Sequence, residues 1–224
     1  MSEISSYIKL ADQALDLFDK FMTLGNRIKT ILTPDYQQAA EDLAMITNII
    51  YGDIQKILDW TRDFEDLDFS KVETKEKFSQ FKRAFDTFTT STEYYDFVGH
   101  CHDIRRIYKS SLGTSLKKLF TRDKKSLRES NKIFKKLSYA DDSVQGLANA
   151  ILEQQKRALR KINKNYNNAE SVQKEFIDDI DKYRQKLNTQ SLVLNKLRND
   201  FYDKAGRPAY IHLYEQKSPG KQQS

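Results

Sequence analysis

No proline interrupts the chain between Pro34 and Pro208. Proline both removes a backbone donor and clashes with the preceding helical turn, so across this span nothing covalent forbids helix. Glycine is scarce as well, with 7 among 224 residues, and there are 3 prolines in all. A sandwich or barrel of short strands needs such punctuation at every strand end. The chain lacks it, and an all-α fold is expected. Charged residues make up 31% of the chain, which suits long helices with one face in water. No apolar run approaches the length of a bilayer-spanning helix. The start, Met1-Ser2-Glu3-Ile4, lacks the basic and apolar regions of a signal peptide. The lone cysteine, Cys101, has no partner for an internal disulfide. The expectation is a cytoplasmic protein, at most peripheral to a membrane.

Apolar periodicity divides the chain into about five helices. The first covers about 5–32, on a stripe of Ile4, Ile8, Ala11, Leu15, Phe18, Met22, Gly25 and Ile28. Thr33-Pro34-Asp35 predicts a corner: a capping hydroxyl, proline at the first helical position, and an acid at the positive end of the helix dipole. The second helix covers about 34–66 through Ala40, Leu43, Ile46, Ile50, Ile54, Ile57, Thr61 and Phe64. Ser70-Lys71-Val72-Glu73 has capping-box spacing and opens a third, about 70–110. Its stripe of Phe78, Phe81, Phe85, Phe88 and Tyr95 is that of a thick helical core. Thr89-Thr90-Ser91-Thr92 predicts a kink or short break within it. Ser110 to Thr114 reads as another corner, before a fourth helix at about 114–137.

The fifth helix is the longest, about 143–204. Its stripe runs through Val144, Ala148, Ile151, Ala158, Ile162 and Ala169 to Phe201. Unbroken, it would measure about 90 Å. Asn163-Lys164-Asn165-Tyr166-Asn167-Asn168 is its weakest point, because asparagine favours turns and caps. The stripe keeps its phase across 163–168, which favours a straight or kinked helix over a hairpin. Such a stripe outruns any short partner and predicts homo-oligomerisation through Phe176, Ile180, Tyr183, Leu187, Leu194, Leu197 and Phe201. The whole reads as an elongated antiparallel bundle in one domain, 1–204. An extended docking segment, 205–216, and a polar disordered tail, 217–224, follow.

Charge is unevenly spread. Residues 1–104 carry 11 basic and 19 acidic side chains, residues 105–136 carry 12 and 2, and residues 137–224 carry 15 and 11. The central block is Arg105, Arg106, Lys109, Lys117, Lys118, Arg122, Lys124, Lys125, Arg128, Lys132, Lys135 and Lys136. A second cluster is Lys156, Arg157, Arg160, Lys161 and Lys164, and the two together are the expected anionic-surface binding residues. Three partners fit: the acidic half of the same chain, an anionic membrane, or nucleic acid. The block alternates with Leu112, Leu116, Leu119, Phe120, Leu127 and Phe134, the pattern of a helix lying in a bilayer interface. Against nucleic acid, no zinc-finger spacing, RNA-binding aromatic motif or Gly-x-x-Gly clamp is present.

Nothing in the chain announces catalysis. His100 and His102 are two apart and point in opposed directions on a helix, so they do not share a metal. Glu93, Asp96, His100 and Asp103 share a face, but no second Glu-x-x-His completes a bundle di-metal site. The expected role of that face is pairing with bases such as Arg106 or with another helix. No Gly-rich phosphate loop or nucleophile elbow occurs. The chain therefore reads as a non-enzymatic interaction protein without metal or cofactor, binding an anionic surface, membrane first. A nucleic-acid-associated protein and a pure scaffold or helical-bundle effector domain are the alternatives.

Overall fold

The computed structural model describes residues 3–71, 73–139 and 144–206. Its regular elements are helical: α1 (Glu3–Ile31), α2 (Gln37–Glu65), α3 (Thr74–Thr90), α4 (Thr92–Ile107), α5 (Gly113–Leu119), α6 (Lys124–Leu137), α7 (Val144–Lys164) and α8 (Ala169–Lys204). Short 3-10 turns, Pro34–Tyr36 and Tyr166–Asn168, lead into α2 and α8, and a π turn, Tyr108–Leu112, joins α4 to α5. The all-α class stands. The helices are more numerous and shorter than periodicity alone predicts.

Each extra break has a local cause. Thr33 is extended before Pro34, as the corner requires, although its side chain makes no capping bond. The third helix starts at Thr74 and not at Ser70. Asp68 instead holds Ser70 in a turn ahead of the helix: Ser70 donates to its carboxylate from N (3.2 Å) and Oγ, and Thr74 Oγ1 donates to its carbonyl, while Glu73 precedes the helix without a capping bond. Ser91 is extended (ψ 163) and accepts from Tyr94 N, so the hydroxyl run breaks the helix in two. Asp123 accepts from Ser126 N at 3.0 Å and starts α6, splitting the expected 114–137 helix. The expected corner at Ser110 to Thr114 is a π turn, through which the helix continues. Gly206, at φ 66, ends α8 in the left-handed conformation that glycine adopts freely. The docking segment expected over 205–216 lies outside the described residues beyond Gly206, as does the 217–224 tail.

The largest correction concerns the 143–204 helix. Asn165 leaves the helical region (φ −145, ψ 88), and α8 folds back on α7. Lys161 Nζ lies 3.3 Å from Glu175 Oε2, whereas one continuous helix would separate the two positions by about 21 Å. The apparent phase has a simple origin. Ile162 and Ala169 are both buried, because both arms of the hairpin cover the same core. A seven-residue apolar step therefore crosses the turn without a helix running through it.

α2 and α8 form the central pair and run antiparallel. Gln37 Nε2 donates to Ala205 O at 2.8 Å, and Gln55 Nε2 to Ser191 Oγ at 2.9 Å. Gln173 Nε2 donates to Phe64 O, Glu65 O and Leu67 O. A glutamine near the start of each helix thus satisfies carbonyls at the end of the other, which would otherwise lack partners. α1 instead lies parallel to α8: Gln190 Nε2 donates to Leu15 O at 3.0 Å, and Lys29 meets Asp200 at 2.8 Å. Antiparallel packing is therefore not the rule throughout.

The residues expected to drive self-association line this interior. Phe176, Ile180, Tyr183, Leu187, Leu194, Leu197 and Phe201 are each at most 4% exposed. The stripe is covered by the chain's own helices and offers no dimer face. The aromatic stripe of α3 is core as well: Trp60 meets Phe81, Phe85 and Phe88 at centroid distances of 5.7, 5.4 and 5.2 Å.

Candidate anion-binding site

The central basic block wraps one flank of the bundle, carried by the end of α4, the π turn, α5 and α6. Its apolar positions face inward. Leu112, Leu116, Phe120 and Phe134 are buried, and Leu119 and Leu127 pack half-buried against the core. The stripe that resembled a bilayer-inserting helix is thus spent on folding, and what remains outside is polar.

The π turn sets which cations meet. In a regular helix, twelve residues would put Lys117 roughly 120° around from Arg105. One extra residue in a turn removes about 100° of that rotation, leaving Arg105 and Lys117 within about 20° of one line. The same correction keeps Ile104, Ile107, Leu112 and Leu116 on one buried face. Gly113 N donates to Tyr108 O, the bond that defines the wider turn. A Cβ on Gly113 would lie 2.9 Å from that same oxygen, so glycine allows the closure.

Tyr108 then clamps the turn to α6. Its hydroxyl donates to Asn131 Oδ1 at 2.6 Å, and its ring stacks on Phe134 at 5.3 Å and 13°. Burial raises the Tyr108 phenol above its usual pKa, so it remains a neutral donor. Between the two walls lies a cleft of about 520 Å³. Arg105, Lys109 and Lys117 come from one wall and Lys135 from the other, with Thr114, Ser138 and Tyr139 supplying hydroxyls. Among the described residues no carboxylate lines it.

Among the described residues, the acidic half pairs with only one cation of this flank. Both acids of the block are engaged by Arg27 of α1, with Asp123 at 3.2 Å and Glu129 at 3.4 Å. Arg106 pairs with Asp103 at 2.9 Å. Among the described residues, Arg105, Lys109, Lys117, Lys118, Arg122, Lys124, Lys125, Arg128, Lys132, Lys135 and Lys136 are exposed and form no ion pair. Other acids of the first half pair elsewhere, as Asp19 does with Lys186 and Glu65 with Arg184.

The second basic cluster is not part of this site. Ser111 bonds to Asp42, near the start of α2, whereas Gln155, beside the second cluster, donates to Trp60 O. Those two points on α2 are about 27 Å apart along the helix. Lys156 and Lys161 are also paired, with Glu153 and Glu175.

On the polar face of α4, His100 pairs inward. His100 Nδ1 lies 2.7 Å from Asp53 Oδ1 of α2. Burial pushes the Asp53 carboxyl up to about 6, and the hydrogen bond that His100 donates to that carboxyl raises His100. Among the described residues no group of His, Cys, Asp and Glu has a metal-holding arrangement; the side chains of Glu93 and Asp96 lie outside them. Cys101 is buried, and burial raises its thiol.

Comparison with protein-family models, curated proteins and solved structures found no match. Among the described residues no helix is long and apolar enough to cross a membrane.

Proposed function

We propose that this chain is a non-enzymatic interaction protein that binds an anionic surface, a membrane first, through the flank built from the end of α4, the π turn, α5 and α6. One observation supports the reading: among the described residues, eleven exposed cations on this flank form no ion pair, while Arg27 engages both acids of the basic block. Each basic side chain held at an anionic bilayer contributes about 1 kcal/mol. Since the apolar residues of the flank are buried or packed half-buried against the core, the contact is electrostatic and peripheral, without insertion of a helix. Binding is therefore strongest at low salt and weakens as screening shortens to about 8 Å near physiological ionic strength.

Co-sedimentation with neutral and anionic liposomes, with nucleic acid as competitor, tests this directly. The protein should pellet with phosphatidylserine vesicles and stay in the supernatant with phosphatidylcholine. Changing Lys117, Lys118, Lys124 and Lys125 together to Glu should abolish pelleting at unchanged helix content. No binding to anionic vesicles at low salt, or full retention by the four-fold variant, overturns the reading. Stronger retention by nucleic acid than by lipid would transfer the same surface to a polynucleotide.

A further inference from the structure

We propose that the cleft between the π turn and α6 is a specific seat for a compact ligand bearing two or more phosphomonoesters, a phosphorylated inositol head group. The proposal rests on the anionic-surface reading and narrows it to one place and one chemistry.

Stoichiometry of charge is the first argument. Arg105, Lys109, Lys117 and Lys135 bring four positive charges to the cleft, and among the described residues no lining side chain is acidic. A phosphomonoester carries about −1.5 to −2 at neutral pH, so two of them balance the cleft and a single carboxylate or phosphodiester does not. The second argument is size. A volume of about 520 Å³ falls within the usual range for a small-ligand pocket, roughly 300–1,000 Å³. A polymer would use the open lysines of α6 and gain nothing from a recess. The third is donor type. A guanidinium grips phosphate with a fixed fork, lysines adapt as point charges, and the hydroxyls of Thr114, Ser138 and Tyr139 suit the free hydroxyls of a polyol ring.

Preorganisation is the fourth argument. Without the π turn, Lys117 would point away from Arg105, and the Tyr108–Asn131 bond together with the Tyr108–Phe134 stack ties the two walls. π turns are rare and frequently mark functional sites; here it converges three of the four cations. A surface meant only for diffuse attraction to lipid charge needs no such convergence.

The test uses the full chain and calorimetric titration with soluble inositol trisphosphate, with inorganic phosphate for comparison. It also uses neutral vesicles carrying phosphatidylinositol bisphosphate, set against phosphatidylserine vesicles of equal charge. Two triple variants lose the same charge: Arg105→Gln, Lys117→Gln, Lys135→Gln in the cleft, and Lys124→Gln, Lys125→Gln, Arg128→Gln outside it. All six side chains are exposed, and circular dichroism verifies that both variants keep their helix content. The expected result is one-site saturation by inositol trisphosphate, weakened about tenfold or more in the cleft variant and little changed in the outer one. Equal weakening in both variants, or no saturable binding by the unaltered protein, overturns the proposal. Vesicle binding without a response to inositol trisphosphate retains the surface and removes the seat. Inositol trisphosphate binding without vesicle binding retains the seat and assigns it a free ligand.

Discussion

At the scale of single residues, the Asp53–His100 pair shows how burial changes what a polar face does. Asp53 sits against His100 from α4 and Lys56 from its own helix, while Asp103 lies beside His100 on α4. Burial is the dominant effect on Asp53, so its folded pKa, about 6, lies above the ordinary 3.8. The folded state then binds a proton more tightly than the unfolded state, and stability falls as pH rises from about 4 to about 6. Raised likewise, His100 contributes stability that is complete below its ordinary 6.5 and lost as pH rises through its higher folded value. Asp53→Asn removes the first effect. Thermal melts across this range should show the native protein losing stability relative to the variant, by up to about 3 kcal/mol. A relative gain with rising pH would mean that Asp53 is an ordinary ion-pair partner held below its usual value. Gln173 offers a second test. Its side-chain amide serves three carbonyls at the end of α2, and Gln173→Ala should cost about 1–2 kcal/mol in denaturant unfolding. Gln185→Ala, which removes only an exposed bond to Asp181, is the control and should be nearly silent.

At the scale of elements, what could be read in the sequence depended on whether the cause was local. The Thr33-Pro34 corner, the break at the hydroxyl run and the inward stripe of α2 come from residues adjacent in the chain, and they were legible. The pairing of His100 with Asp53 joins positions 47 apart, and no spacing announces it. The π turn lies between these cases. Its signal is the five-residue step from Ile107 to Leu112 among steps of three and four, which reads as a corner when Gly113 is taken for a helix stop. The turn makes a prediction that is unusual for a helix. Deleting the exposed Ser110 should regularise the turn while Leu112 and Leu116 keep their buried phase, at a cost of no more than about 1–2 kcal/mol. Deleting Arg128 from α6 should instead rotate Ile133, Phe134 and Leu137 by about 100° out of the core and unfold that flank. Comparable melting temperatures for the two deletions would refute the phase argument, and with it the reason Lys117 faces Arg105.

At the scale of the whole molecule, the basic block was legible as composition, but its geometry was not. Twelve cations in one segment are visible in a sequence. That four of them surround a recess depends on the π turn and the Tyr108 clamp, and that the second cluster lies far along α2 depends on how α7 packs. The hairpin at 163–168 decides more than shape: it buries the stripe that looked like a dimer face. A zero-length carbodiimide links a lysine to a carboxylate only when the two are in contact, and Lys161 and Glu175 are 3.3 Å apart and exposed. Peptide mapping of the treated monomer should recover the Lys161–Glu175 amide as an intrachain link, independent of protein concentration. A continuous helix would hold those positions about 21 Å apart and permit the link only between two copies. Its appearance solely in cross-linked dimers would restore the elongated, self-associating molecule and return Phe176 to Phe201 to an intermolecular role.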